Sequence, residues 1–333
     1  MKRSFRLKSA LILALALSAF SLALAAPAIA EFWPTMATTI TSNARPIAEN
    51  IELETYRSVS VSARFKAVDP DGDEVTFELV DMPKKGTVKV EEDGTFTYTP
   101  DSGKRGRDTF TYIACDPKGG LSNKATVTIE IRKQQTDITY SDIAGTGLEY
   151  PAVALAERGV FMGDAIAGRY FFRPAQTVTR GEFVAMCLAL SGTETLKDIV
   201  RTGFYDDDKI PQWVKPYVST ALMNGLITGC KTEDGRLVFN AKDPITVAQA
   251  AVILNNMLRP TDVSVSAFAE MTSLPSWAHQ AGANLDACDI LPSETADYNA
   301  YLTRAQAAEM LVRSMRLLDS RDDDRSILSW VQF

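Results

Sequence analysis

The chain has 333 residues, 46% hydrophobic and 23% charged, the composition of an ordinary folded protein with room for two or three domains. A single histidine, His279, would have to carry any Ser-His-Asp, Cys-His or multi-histidine zinc chemistry, and the cysteines at 115, 187, 230 and 288 show no C-x-x-C spacing. The formal charge of -7 argues against a nucleic-acid partner.

Residues 1–30 read as a secretory signal peptide. Lys2, Arg3, Arg6 and Lys8 form a basic start, an apolar run extends from Ala10 to Ala26, and Ala28-Ile29-Ala30 offers a cleavage site before Glu31. An uncleaved anchor is the alternative; no later stretch approaches the ~18 apolar residues of a membrane span. Losing four cations and no acid takes the formal charge from -7 to -11. Disulfides are permitted in a secreted chain, though the cysteines are scattered. Residues 31–44, rich in Thr, Ser and Ala, read as a flexible lead.

From 45 to 132 apolar residues alternate with polar ones. Val59, Val61, Ala63 and Phe65 are followed by Val75, Phe77 and Leu79, by Val88 and Val90, and by Phe96 and Tyr98. Phe110 and Tyr112, then Val127, Ile129 and Ile131, complete the series. Period two indicates half-buried strands, and Asp71-Gly72, Lys85-Gly86, Asp93-Gly94 and Gly119-Gly120 mark turns between them. Asp93-Gly94 between alternating runs predicts a hairpin. Short strands at regular spacing make a β-sandwich. The runs Asp69-Pro70-Asp71-Gly72-Asp73, Gly94-Thr95-Phe96-Thr97-Tyr98-Thr99-Pro100 and Asp108-Thr109-Phe110-Thr111-Tyr112 resemble a bacterial cadherin-like, Ig-like domain. That resemblance implies a surface adhesin or spacer, and it suggests calcium on Asp69, Asp71 and Asp73, since calcium takes carboxylate oxygens. The segment is no EF-hand: Gly72 falls at loop position four and Val80 stands where the final Glu belongs. A solvated acidic turn is the plainer reading of the same residues.

After a polar linker at 133–139, the chain repeats itself. Tyr140-Ser141-Asp142-Ile143, Phe204-Tyr205-Asp206-Asp207 and Phe268-Ala269-Glu270-Met271 are 64 residues apart, as are Trp213 and Trp277. Gly159-Val160-Phe161-Met162-Gly163 is echoed by Gly225-Leu226-Ile227-Thr228-Gly229; Asp289-Ile290-Leu291-Pro292 has lost both glycines. Thr179-Arg180-Gly181-Glu182, Thr246-Val247-Ala248-Gln249 and Thr303-Arg304-Ala305-Gln306 each open a helix. One apolar face follows each: Phe183, Met186, Cys187 and Leu190; Ala250, Ile253, Leu254 and Met257; Ala307, Met310 and Leu311, with a polar lapse at Ser314. The spacing predicts helix-turn-helix repeats at 140–192, 204–259 and 268–319, packed into one all-α unit with a shared core, and a charged tail at 320–333. Cys187 aligns with Leu254 and Leu311, so it reads as a core thiol. Cys230 and Cys288 fall at other registers, and their pairing stays open.

F-x-D, W-A, G-h-x-x-G, F-x-P and T-R-A-E in this order resemble the S-layer-homology family, with Phe172-Arg173-Pro174 and Thr179-Arg180-Gly181-Glu182 the nearest match. The resemblance runs from Tyr140 to Asp319 and implies a three-pronged, pseudo-threefold spindle. Its grooves would bind secondary cell-wall polysaccharide, often carrying pyruvate ketals, or modified peptidoglycan. The T-x-x-E/Q positions have a structural reading as capping boxes, and Glu182 and Gln306 also stand as ligand contacts. Arg180 and Arg304 sit where the helix dipole disfavours a cation. An anion bound jointly by guanidinium and helix-start amides would explain them, and a solvated arginine is the other reading. Trp213 and Trp277 suit either sugar faces or a core. Asp142 and Asp206 match the family's acid, as caps or as acceptors for ligand hydroxyls; Glu270 departs from it. The expectation is a non-catalytic wall-bound surface protein. A calcium-dependent adhesin with a protein partner, or a wall-anchored hydrolase, are the alternatives.

Overall fold

The structure is a computed structural model that describes residues 43–265, 273–292 and 297–330. The expected signal peptide, most of the lead and the segment holding Phe268 to Met271 lie outside these residues.

The first part is a sandwich. Strands β2 (Ile51–Tyr56), β9 (Ala125–Arg132), β8 (Gly106–Cys115) and β5 (Thr76–Asp81) form one sheet in that order, and β3 (Val61–Arg64), β7 (Thr95–Pro100) and β6 (Gly86–Val90) the other. A two-stranded ribbon of β1 (Ile47–Ala48) and β4 (Ala67–Val68) completes it. The inward positions of the alternating runs fill the core: Phe96, Tyr98, Phe110, Tyr112, Val127 and Ile129 are fully buried. Phe65 stacks on Phe96 at 4.6 Å and on Tyr112 at 4.3 Å. Each such side chain contributes roughly 1.5–3 kcal/mol by leaving water. A charge drawn into this core region, Asp108, accepts from the Tyr98 hydroxyl (2.8 Å) and the Lys84 and Lys85 amides. Asp93-Gly94 forms the β6–β7 hairpin turn, with Gly94 at φ 84°. Strand β2 is not among the runs read from the sequence, and it pairs with β9 in parallel, Ile51 opposite Val127.

The second part contains α1 (Glu149–Glu157), α2 (Arg180–Leu190), α3 (Lys215–Met223), α4 (Val247–Leu258), α5 (His279–Ala287) and α6 (Arg304–Trp330). It is not all helix. Hairpins β10 (Asp164–Ile166) with β11 (Arg169–Phe171), and β12 (Cys230–Lys231) with β13 (Leu237–Val238), stand between successive helices. The region expected as a charged tail continues α6 to Trp330. The apolar faces read from the sequence are buried except for the half-buried Met257, and Ser314 is satisfied by donating to the Met310 carbonyl at 2.8 Å. Cys187 is buried; the four cysteines are free thiols.

The segments leading into α2, α4 and α6 close on one another in a ring. Ile245 N donates to Val178 O (2.9 Å), Val178 N to Leu302 O (3.0 Å) and Leu302 N to Ile245 O (2.8 Å). Val178, Ile245 and Leu302 are buried at its centre. The first two amides of each helix are satisfied by the next lead in the ring.

The sandwich and the helical part share one core. Tyr56 stacks on Tyr150 at 6.0 Å, Ser60 N donates to the Glu149 carboxylate at 2.8 Å, and Tyr150 N donates back to Ser60 O. The connecting residues are pinned, with the Gln135 and Thr136 amides donating to Glu157 and Ile138 buried. Among the described residues, no helix is long and apolar enough to cross a membrane.

Candidate functional site

The three threonines that open α2, α4 and α6 act as N-caps. Thr179 with Glu182 and Thr246 with Gln249 make reciprocal capping boxes, and Thr303 with Gln306 makes the same pair of bonds. This fixes the first turn and sets the residue after each threonine at the first helical position.

Arg180 and Arg304 occupy that position, 8% and 7% exposed. Their backbone amides are already used: Arg180 N and Gly181 N donate to Asp243 O and Ala241 O, and Arg304 N and Ala305 N to Gln176 O and Pro174 O. The expectation that an anion is gripped by these amides is therefore corrected. The reason is tertiary, since the ring of leads consumes the donors that an isolated helix would leave open.

The side chains turn sideways into the neighbouring hairpin. Arg180 Nε donates to Phe239 O at 3.0 Å with the guanidinium over the Phe239 ring at 5.2 Å. It lines a cleft of about 260 Å³ walled by Gly229, Cys230, Gln249, Val252 and Trp277. Burial lowers the pKa of Arg180, while Cys230, Asp243 and Asp206 act in the opposite sense. Among the described residues no carboxylate forms an ion pair with it, and its terminal nitrogens have no protein hydrogen-bond partner. Arg304 differs. It pairs with Asp164 at 2.9 Å, donates to Phe172 O at 3.2 Å and lies over Phe161. The void beside it holds only about 10 Å³.

Trp277 and Trp213 are 60% and 56% exposed, so neither is a core residue. Trp277 lines the Arg180 cleft; Trp213 meets Tyr217 edge-on. Tyr150, which stands near the matching place of the first repeat, is buried instead. Asp142 and Asp206 each brace a loop. Asp142 accepts from Phe172 N and Arg173 N, and Asp206 from Phe239 N and Asn240 N. Both oxygens of each are held by backbone, which shapes the loop before the next helix. His279 Nε2 lies 2.7 Å from Leu274 O. Of the cleft residues, the sequence reading missed Cys230 and Val252 and gave Gln249 chiefly a capping role; the G-h-x-x-G motif beside Cys230 and the T-x-x-Q box are the signals that point to the cleft.

In the sandwich, one ligand oxygen from each of Asp69, Asp71 and Asp73 lies within 4.8 Å of the others. Asp71 accepts from Ala44 N at 2.7 Å, and Lys118 Nζ pairs with Asp73 at 2.7 Å. Asp69 Oδ2 and Asn43 Oδ1 are buried without a hydrogen-bond partner. An orphaned buried oxygen is costly, and an oxygen-seeking cation would satisfy Asp69 Oδ2, so the three clustered carboxylates fit calcium.

Residues 43–133 match the family model of the bacterial cadherin-like domain. The chain is 25% identical over 227 residues to "Exoglucanase XynX" of Acetivibrio thermocellus, covering 63% of this chain and 20% of that protein. It is 26% identical over 129 residues to the "Surface-layer 125 kDa protein" of Lysinibacillus sphaericus, covering 38% and 10%. The matched regions thus span a fifth or less of these curated relatives. Among solved structures, the SrpA adhesin of Streptococcus sanguinis is 18% identical with a TM-score of 0.22, covering 31% of this chain and 66% of that one. The chain is therefore similar to bacterial cadherin-like domains over its sandwich and has a surface-layer protein among its relatives.

Proposed function

We propose that this is a non-catalytic cell-surface protein, attached to the wall by three C-terminal repeats of the S-layer-homology type. The repeats hold an anionic, pyruvylated secondary wall polysaccharide, or modified peptidoglycan in its place, and the sandwich is a docked spacer or interaction module. The observation that carries the reading is the Arg180 cleft: a buried guanidinium that has no counter-ion among the described residues opens onto a cavity lined by an exposed tryptophan. A fork of N–H donors beside an aromatic wall suits a carboxylate-bearing sugar ring. The cyclic closure of three helix starts and the surface-layer relative agree with this assignment. The test is co-sedimentation of the purified chain with wall fragments, before and after removal of pyruvyl groups. Arg180→Ala is expected to weaken binding at least about tenfold, which corresponds to about 1.4 kcal/mol. Undiminished binding by a folded Arg180→Ala chain would remove the site.

A second reading concerns the sandwich, where the orphaned oxygen of Asp69 favours a structural calcium held with Asp71 and Asp73. Lys118 would have to release Asp73 on loading. Wall hydrolysis is the competing function, and a zymogram on cell walls separates it.

A further inference from the structure

Arg180 and Arg304 are geometric counterparts in opposite electrostatic surroundings. Both donate to the carbonyl of a phenylalanine just after a hairpin, Phe239 and Phe172. Beside each stands a glycine, Gly229 or Gly163, at which an added Cβ would lie 3.0 Å or 2.6 Å from a carbonyl of the opposite strand. That close approach fixes the following residue, Cys230 or Asp164, next to the guanidinium.

At Arg304 this residue is an acid. Asp164 takes Arg304 at 2.9 Å and also binds Arg173 at 3.2 Å. At Arg180 the same place holds a thiol, and the counterpart of Arg173 is Asn240; both of these last two have positive φ and an amide bound by the preceding acid. The third position of the facing helix differs in the same sense: Glu182 on α2, Gln249 on α4. The third helix start has Val247 and no cation.

A buried guanidinium is stable only when its charge and its fork of donors are matched. We propose that Asp164 is a built-in counter-ion that fills the anion position beside Arg304, so that the helical unit takes one carboxylate-bearing ligand per chain, at Arg180. This rests on the reading of the clefts as anionic-glycan sites, and it adds that two of the three are closed, one by an internal acid and one by the loss of its arginine.

The test uses the full chain with 15N-labelled arginine, following the Nε–H signals during titration with sodium pyruvate against a sodium chloride control. The Arg180 signal is expected to shift and saturate with one site per chain, while Arg304 stays unmoved. In Asp164→Ala, which removes both the charge and the bulk from that position, Arg304 is expected to respond as well, raising the stoichiometry from one to two. A response of Arg304 in the wild type, or none at Arg180, overturns the proposal, as does a folded Asp164→Ala chain that still binds one. If that variant fails to fold, the wild-type comparison of the two arginines decides alone. Failure of the chain to sediment with walls while pyruvate still moves only Arg180 would sink the wall attachment and leave this inference standing.

Discussion

Asp207 and Lys215 form an ion pair of 2.7 Å whose side chains are 16% and 10% exposed. The Lys215 hydrogen bond, with donors from Thr202, pulls the Asp207 carboxyl down to about 2. A depressed carboxylate contributes stability that is present above its unfolded value near 3.8 and is lost as the pH falls through about 2. Asp207→Asn is therefore expected to cost about 2 kcal/mol at pH 6. The difference from wild type should shrink between pH 4 and pH 2, as read by urea unfolding. A penalty that stays constant with pH would assign the loss to packing instead. Neither residue stands out in the sequence as half of a pair, because Asp207 lies in a 3₁₀ turn eight positions before a lysine that local pattern leaves on any face.

At the scale of the element, the capping boxes were legible because they are local: threonine and its partner are three residues apart and both bonds run within one turn. Removing the Thr246 hydroxyl leaves the Gln249 amide unsatisfied, and Thr246→Ala is expected to cost about 1 kcal/mol. Thr246→Ser should retain most of that stability, and an equal loss in both variants would show that the methyl group matters rather than the cap. The hairpins β10–β11 and β12–β13 were not legible. Strands of two or three residues are too short for a period to register, and they form because flanking glycines allow close strand approach. Strand β2 is hard to read for another reason. Its alternation of Ile51 and Leu53 ends in Thr55, which is buried only because its hydroxyl donates to Val59 O.

Over the whole molecule, the sandwich is no loose appendage, since Tyr56, Ser60, Glu149 and Tyr150 join it to the helices through one continuous core. A ligand of the folded sandwich must then stabilise the helical part as well. Calcium is expected to raise the midpoint of one shared thermal transition, followed by near-ultraviolet signals from Trp213 and Trp277, and chelator to reverse it. Two separate transitions, or a midpoint indifferent to calcium, would contradict the coupling or the metal site respectively.

What the sequence determined alone was whatever has a short period: alternating strands, apolar helix faces, capped helix starts and a 64-residue echo. Tertiary structure decided the rest. It consumed the helix-start amides in a ring, matched Arg304 with an acid 140 positions away, and left Arg180 facing a thiol and a cleft. The physical reason is that a buried charge answers to whatever long-range folding brings beside it, and no local pattern carries that information.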